Sequence, residues 1–214
     1  MGLNQDQKSK LFLVVLAVAM AVAWWFGRAT PERIIAGLAD PEELATLGER
    51  GANPRVNELV FWLNAVELEG KNVTNVLAVV LRDVYPAESQ RQLVQTALLR
   101  NLTIAHRLGL LTETNQNLEQ LQRGRSPTIT SGPYTGEKTE VDHIVPRSLA
   151  PETDNELANL ELMPTSLNRK KSNRVNSRHV SHAEKLFQAG LLTVESLERV
   201  KTQARLNPAA ISDL

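Results

Sequence analysis

A sixteen-residue apolar run near the N-terminus restricts the fold of this chain most strongly. Residues 11–26 read LFLVVLAVAMAVAWWF and contain no charged side chain. A helix that packs on one face of a soluble core normally carries a polar face as well. As a helix the run would rise about 24 Å, compared with about 30 Å for the hydrocarbon layer of a bilayer. It is therefore too apolar for a surface helix and close to the lower limit for a membrane span.

Two interpretations of the N-terminus follow from this run. Residues 1–28 are either an uncleaved membrane anchor, which would contact the membrane through residues 11–27, or a signal peptide. Cleavage near Gly27 to Ala29 would follow a proper end to the apolar run, whereas the pair Trp24 and Trp25 suits a membrane interface. Both interpretations predict a membrane-anchored or exported protein. The flanking basic residues are balanced and leave the orientation open.

Residues 29–125 have the spacing of an all-helical region. Thr30-Pro31-Glu32 and Asp40-Pro41-Glu42 each place a capping residue before a proline and an acid, which predicts two helix starts. Apolar residues then recur with helical spacing from position 56 onward. Although the formal charge of the chain is zero, residues 29–70 hold eight acids and three bases. A local charge of −5 would repel nucleic acid and restrict its binding to the C-terminal half.

The residues that carry chemistry lie between Glu140 and Asn173. Asp142 and His143 are adjacent and are followed by Pro146, which is typical of a strand that ends there. Thr165 or Ser166 then caps a predicted helix. On that helix Asn168 and Lys171 lie three residues apart and share one face. Histidine suits a general base near neutral pH, and oxygen ligands suit a hard cation. Such a set matches the needs of phosphodiester hydrolysis.

These residues also carry a resemblance to a known family. The sequence DHIVP at 142–146, followed by Asn159, Asn168 and Lys171, resembles the HNH endonuclease motif of the ββα-metal superfamily. Within that family, the motif most resembles that of the HNH domain of RNA-guided CRISPR nucleases. The resemblance covers about 50 of the 214 residues. It implies metal-dependent cleavage of nucleic acid that leaves a 5′-phosphate and a 3′-hydroxyl.

The resemblance also implies a role for each matched residue. His143 is the general base, and Asp142 and Asn168 hold one divalent ion, Mg²⁺ or alternatively Mn²⁺. Asn159 fixes the His143 ring, and Lys171 faces the phosphate. Many HNH domains bind a structural zinc through cysteine pairs, but this chain has no cysteine, so no zinc is expected.

Glu140, two residues before Asp142, has two interpretations. It is either an outer acceptor that supports the metal ligands or a solvated strand residue. The sequence alone does not decide between these roles.

A basic run adjoins the proposed site. No acid interrupts it, and its exposed members are predicted to contact a nucleic-acid backbone, although a solvated helix face is the alternative. The run comprises Arg169, Lys170, Lys171, Arg174 and Arg178. The nearby His179 and His182 are assigned to structure or phosphate contact and not to metal. Ser181 and Glu184 read as a capping box that opens the next helix.

Taken together, these patterns predict a mainly α fold with a small α+β unit. After the N-terminal hydrophobic helix come the helical region 29–125, an HNH ββα-metal domain at 126–176 and C-terminal helices at 177–214. The domain is expected to begin with a hairpin between strands near 128–131 and 139–144. The predicted function is DNA endonuclease. The alternatives are a non-catalytic, membrane-tethered protein that binds nucleic acid or phosphate, and a hydrolase of another phosphodiester.

Overall fold

The computed structural model describes residues 29–111, 115–171 and 174–206. The predicted membrane anchor or signal peptide, residues 1–28, lies outside this described part. Within it, no helix is both long and apolar enough to cross a membrane. The helical region and the segment with the DHIVP motif belong to one compact unit that begins at Pro31.

The described chain is mainly helical, with one two-stranded sheet. The helices that precede the sheet are α1 Pro31–Leu38, α2 Pro41–Ala45, α3 Ala52–Leu68, α4 Val73–Val84, α5 Glu88–Arg107 and α6 Asn115–Gln122. The sheet consists of β1 Thr139–His143 and β2 Leu160–Pro164, with short 3₁₀ turns at Pro151–Thr153 and Leu157–Asn159 between the strands. It is followed by α7 Thr165–Lys171, α8 Ser177–Gln188 and α9 Val194–Leu206.

Both predicted helix starts in the N-terminal region are confirmed. α1 begins at Pro31, and α2 begins at Pro41 behind the cap Asp40, whose side chain accepts a hydrogen bond from the Glu42 amide. Proline is tolerated at the first helical position because its missing N–H would have had no partner there. The local sequence was sufficient for these boundaries.

The helical region supports the sheet directly. Asn101 of α5 is buried and uses its amide twice: Nδ2 donates to the Leu160 carbonyl at 3.0 Å, and Oδ1 accepts from the Leu162 amide at 2.8 Å. Because β2 is an edge strand, these backbone groups need partners outside the sheet, and Nη2 of Arg100 also donates to the Leu160 carbonyl at 3.3 Å. The single amide of Asn101 therefore fastens the sheet to the longest helix.

The predicted hairpin before β1 is confirmed in part. Residues 127–129 and 136–139 form a short antiparallel ladder around the bridge from Thr128 to Lys138, with three backbone hydrogen bonds. Beyond it, the amides of Thr130 and Ser131 donate to the Leu108 carbonyl at the end of α5. The main partner of β1 was not predicted: Thr139–His143 pairs antiparallel with Leu160–Pro164, which is buried along its whole length. Burial of an apolar strand that comes later in the chain sets this pairing.

The predicted start of α8 was also wrong. Asn176 is the N-cap, and its side chain accepts hydrogen bonds from the amides of Arg178 and His179. The His179 ring completes this capping box by accepting from the Asn176 amide at 3.0 Å. The pattern at Ser181 and Glu184 lies one turn inside the helix. His179 thus has the structural role that was predicted for it.

His182 makes the stability of this fold depend on pH. Its Nε2 lies 3.1 Å from the Ala158 carbonyl, and burial together with the nearby Arg100 lowers its pKa from 6.5 to about 3. Between these two pKa values, His182 is protonated in the unfolded chain and neutral in the folded chain. The free energy of unfolding that His182 contributes is therefore fully present above pH 6.5 and is lost as the pH falls towards 3. Urea unfolding should show a loss of about 1.4 kcal/mol per pH unit in this window.

The variant His182→Gln tests this linkage. Glutamine retains a donor for the Ala158 carbonyl but does not titrate. Its free energy of unfolding should fall less steeply between pH 6.5 and pH 4 than that of the wild type. Equal slopes for the two proteins would contradict the linkage.

Candidate active site

The proposed site residues meet where β1 packs against α7. β1 ends in Asp142 and His143, and α7 carries Asn168 and Lys171. A cleft of about 500 Å³ opens beside the end of the strand. It is lined by Arg50, Asp142, His143, Pro146, Arg147, Ser148, Pro151 and Asp154.

The orientation of His143 is set by Asp154. The ring is only 5% exposed, and its Nε2 lies 2.9 Å from the Asp154 backbone oxygen and 3.1 Å from Oδ1 of the same residue. Both neighbours accept hydrogen bonds, so in the neutral ring Nε2 carries the proton and Nδ1 is the proton acceptor. The proton points to the backbone oxygen, and Oδ1 makes an electrostatic contact without a hydrogen bond from any described residue.

Lys171 was predicted to face the phosphate. In the structure it is instead hydrogen-bonded to the end of β1. Its ammonium is 4% exposed and donates to Asp142 Oδ2 and to the His143 backbone oxygen. A buried ammonium requires such partners because desolvation of the charge is costly. Within the described residues, the second carboxylate oxygen of Asp142 has no hydrogen bond. Lys171 therefore positions Asp142 and leaves one of its oxygens available.

Asn168 is oriented by Glu140. Its Nδ2 donates to Glu140 Oε2 at 2.7 Å, and because a carboxylate only accepts, the amide nitrogen must face Glu140. The carbonyl oxygen of Asn168 is thus the end left for another partner. Of the two interpretations of Glu140, the structure supports the acceptor, since its carboxylate orients the predicted metal ligand Asn168.

The donor atoms left free at this site fit a hard cation. One carboxylate oxygen of Asp142 and the amide oxygen of Asn168 are ligands that Mg²⁺ accepts while it keeps several waters. Across residues 29–111, 115–171 and 174–206, no group of three or more His, Asp or Glu side chains is placed to hold a metal. The residues present therefore fit one divalent ion held by two protein ligands and otherwise by water and substrate.

Asn159 makes no hydrogen bond to the His143 ring, which corrects the predicted role. The fully buried side chain accepts from the Val145 amide at 2.8 Å and donates to the Val145 carbonyl at 3.0 Å and to Thr153 Oγ1 at 2.9 Å. Its own carbonyl accepts from the Ile144 amide. Asn159 therefore shapes the loop after His143 and acts on the ring only through the backbone.

Four residues of the basic run are exposed, namely Arg169, Lys170, Arg174 and Arg178, whereas Lys171 is buried. Arg178 also donates from Nη2 to Glu161 Oε2 at 3.1 Å, and the buried Glu161 lies 3.7 Å from Nε of Arg100. An arginine with this intramolecular task is less suited to a phosphate backbone than the other three.

Among the cleft residues that were not singled out from the sequence, Asp154 and Arg50 bear most directly on His143. Asp154 lies in the loop between the strands, and Arg50 lies in the acidic helical region. The Arg50 amide donates to Asp154 Oδ2 at 2.9 Å. The two residues are 104 positions apart, so no local pattern indicated the contact.

Two antiparallel strands followed by a helix, with a histidine and the oxygen-bearing side chains of Asp142 and Asn168 near their junction, have the arrangement expected of a ββα-metal nuclease site. Residues 129–177 match the family model of the HNH endonucleases. The match covers less than a quarter of the chain and includes β1, β2 and α7. The predicted resemblance to HNH endonucleases is confirmed. No curated protein and no solved structure shows a significant match to the chain.

The family match supports a nuclease at a general level. HNH endonucleases act on nucleic acid and generally use a divalent metal. The narrower likeness to CRISPR nucleases stays a prediction.

Proposed function

We propose that this protein is an endonuclease that uses one divalent ion, preferably Mg²⁺, to hydrolyse the DNA backbone at the cleft beside β1. The observation that carries the proposal is the arrangement of His143. Its Nε2 is held by Asp154, which leaves Nδ1 as a base in the same cleft as Asp142. Asp142 and Asn168 would hold the ion, with Mn²⁺ as a substitute.

In the proposed reaction, Nδ1 of His143 takes a proton from the attacking water as its oxygen bonds to phosphorus. The bond from phosphorus to the 3′-oxygen breaks, which leaves a 5′-phosphate and, after protonation, a 3′-hydroxyl. The Asp154 carboxylate then faces the cationic ring from the Nε2 side. A divalent ion, when bound, neutralises charge on the phosphate and the leaving oxygen.

The remaining polar residues keep this arrangement in place. Lys171 holds Asp142, Glu140 holds Asn168, and Asn159 holds the loop after His143. Substrate contact is proposed for the exposed residues Arg169, Lys170 and Arg174. These side chains present positive charge without any base-stacking aromatic, so they would bind the phosphate backbone with little sequence preference.

The proposed location of this activity depends on residues 1–28. An anchor or signal peptide there would place the nuclease on a membrane or export it. Fractionation of cells that express the full-length protein would test this, and full recovery without detergent in the cytoplasmic fraction would contradict it.

Plasmid cleavage tests the proposed function directly. Full-length protein should nick or cut plasmid DNA in Mg²⁺ or Mn²⁺ and do neither in EDTA. Asp142→Asn and Asn168→Ala should require at least about 10- to 100-fold more metal for half-maximal cleavage, since loss of a residue that merely supports a metal ligand typically costs that much. The matched control is Asp83→Asn, since Asp83 is an exposed aspartate on α4.

Three other results would redirect the proposal. Cleavage in EDTA, or an unchanged metal requirement in Asp142→Asn, would exclude the proposed ion site. Salt-dependent DNA binding without cleavage in any divalent ion would favour the non-catalytic alternative. Strong inhibition by a small phosphodiester that is itself hydrolysed faster would favour another substrate.

A further inference from the structure

We propose that the N-terminal helical region completes the active site by supplying Arg50, whose guanidinium binds a substrate phosphate next to the one that is cleaved. This inference deepens the proposed function and rests on it. It adds a substrate-binding residue from outside the segment that matches the HNH endonucleases. It also gives the helical region a task in addition to mechanical support.

The position of Arg50 carries the inference. Arg50 lies between α2 and α3 and lines the cleft that contains Asp142 and His143. It also lines a second cleft of about 390 Å³, which contains Asn168 and Glu140. Among the described residues that line these two clefts, Arg50 alone is common to both. It therefore forms part of the wall both of the cleft with His143 and Asp142 and of the cleft with Asn168.

The Arg50 side chain is available for a ligand. It is exposed, and no hydrogen bond or ion pair joins its guanidinium to any residue in the described part of the chain. The other arginine of the first cleft, Arg147, is paired with Glu49. In the acidic helical region, Arg55 is paired with Glu43. Unlike Arg147 and Arg55, Arg50 therefore has N–H donors that no described residue occupies.

The backbone around Arg50 is fastened to the catalytic loop. The Arg50 amide donates to Oδ2 of Asp154, the residue whose backbone oxygen holds His143. Next to it, Asn155 accepts from the Ala52 amide at 3.0 Å and donates to the carbonyls of Leu47 and Gly48. Four hydrogen bonds therefore join residues 47–52 to Asp154 and Asn155. The guanidinium starts from a backbone that is fixed relative to the base.

The conformation of Arg50 is unusual for its residue type. Its φ is 55°, in the left-handed region that is unfavourable for residues with a Cβ atom. Glycine would avoid this cost but would bring no side chain into the cleft. A strained arginine at the edge of an active site is typical of a residue with a functional task.

The chemistry of arginine selects phosphate as the ligand. Its planar fork of N–H donors matches two phosphate oxygens, and it stays charged at any physiological pH. The neighbouring cleft is lined by a second exposed arginine, Arg125, together with Glu140 and Asn168. The substrate backbone would therefore pass from the His143 side over Arg50 towards Arg125.

Salt-dependent binding tests the inference without any cleavage. Full-length protein is titrated in EDTA with a double-stranded oligonucleotide over a range of salt concentrations. For Arg50→Ala, the slope of log K against log salt should decrease in magnitude by about 0.9, the value for one phosphate contact. Binding at low salt should weaken about tenfold or more, because a charge-assisted contact is lost. Arg50→Lys should keep the slope but bind less tightly than the wild type.

Two controls separate this role from a structural one. Arg82→Ala removes an exposed arginine of α4 that lines neither cleft and should leave the slope unchanged. Arg50→Gly relieves the left-handed strain, so it should unfold at the same or a higher urea concentration and yet show the smaller salt slope. Well-folded Arg50→Ala and Arg50→Gly proteins that retain the wild-type slope would overturn the inference.

The same measurements distinguish failure of the inference from failure of the proposed function. If the wild type binds and cuts DNA while the Arg50 variants match it, only the Arg50 site is wrong. If the wild type binds but never cuts, the nuclease proposal is wrong, and the salt slopes still decide the phosphate site. If the wild type does not bind DNA at all, both are overturned.

Discussion

Replacement of His143 by alanine is expected to slow DNA cleavage about 10²- to 10⁴-fold, which is the usual contribution of a general base. Among the described residues that line the cleft, His143 is the only histidine. Its Nε2 is held by the Asp154 backbone oxygen, which leaves Nδ1 on the opposite edge of the ring to accept a proton. DNA affinity in EDTA should change little, because the ring is buried and carries no phosphate contact in the proposal. Single-turnover cleavage of plasmid DNA would measure the loss.

The control for this prediction is His106→Ala. His106 is an exposed histidine in the last turn of α5 that contacts Glu67, and its loss should not change cleavage. A second readout separates a base from a structural residue: added imidazole should restore part of the rate in His143→Gly but not in Asp142→Asn, which lacks the proposed metal ligand. Full activity in His143→Ala would exclude the mechanism.

Replacement of Asn159 by alanine is expected to destabilise the protein by about 2–5 kcal/mol, since it leaves a buried N–H and C=O of Val145 without partners. Thr153→Val, which removes only one of the three hydrogen bonds made by the Asn159 side chain, should cost less. Urea unfolding would give both values. The slope of the transition should stay constant if the denatured state is unaffected.

This second prediction also decides between two roles for Asn159. If the residue fixed the imidazole directly, as the family resemblance implied, Asn159→Ala would lose activity while keeping most of its stability. The hydrogen bonds in the structure predict that stability is lost first and activity only as a consequence. Asn159 bonds to Val145 and Thr153, so its removal disrupts their loop directly and the His143 ring only through that loop. Comparable stability of Asn159→Ala and the wild type would contradict the role assigned here.

Those parts of the site that lie close together in the chain were predicted well. Asp142 and His143 lie at the end of a strand, and Asn168 and Lys171 lie on one short helix, as expected. Strand ends and helix caps depend on residues a few positions apart, so the local sequence carries enough information. The starts of α1 and α2 were predictable for the same reason.

The contacts made by these residues were not predictable in the same way. Lys171 was expected to face a phosphate, yet it is buried against Asp142 and the His143 carbonyl. The presence of a lysine in a basic run does not determine whether its side chain points to solvent or into the protein. Burial of α7 on the sheet decides this, and burial depends on the packing of the whole unit.

By itself, the sequence determined the family of the site, an HNH pattern followed by a basic helix, whereas the histidine base, the two oxygen ligands and the role of the N-terminal apolar run stay predictions. Only the tertiary structure decided that Leu160–Pro164 pairs with β1, that Asp154 holds His143 and that Arg50 reaches the cleft. The amide of Arg50 meets Asp154 across 104 residues of sequence. Contacts of that range arise from the burial of helices and strands against one another, which no local spacing encodes.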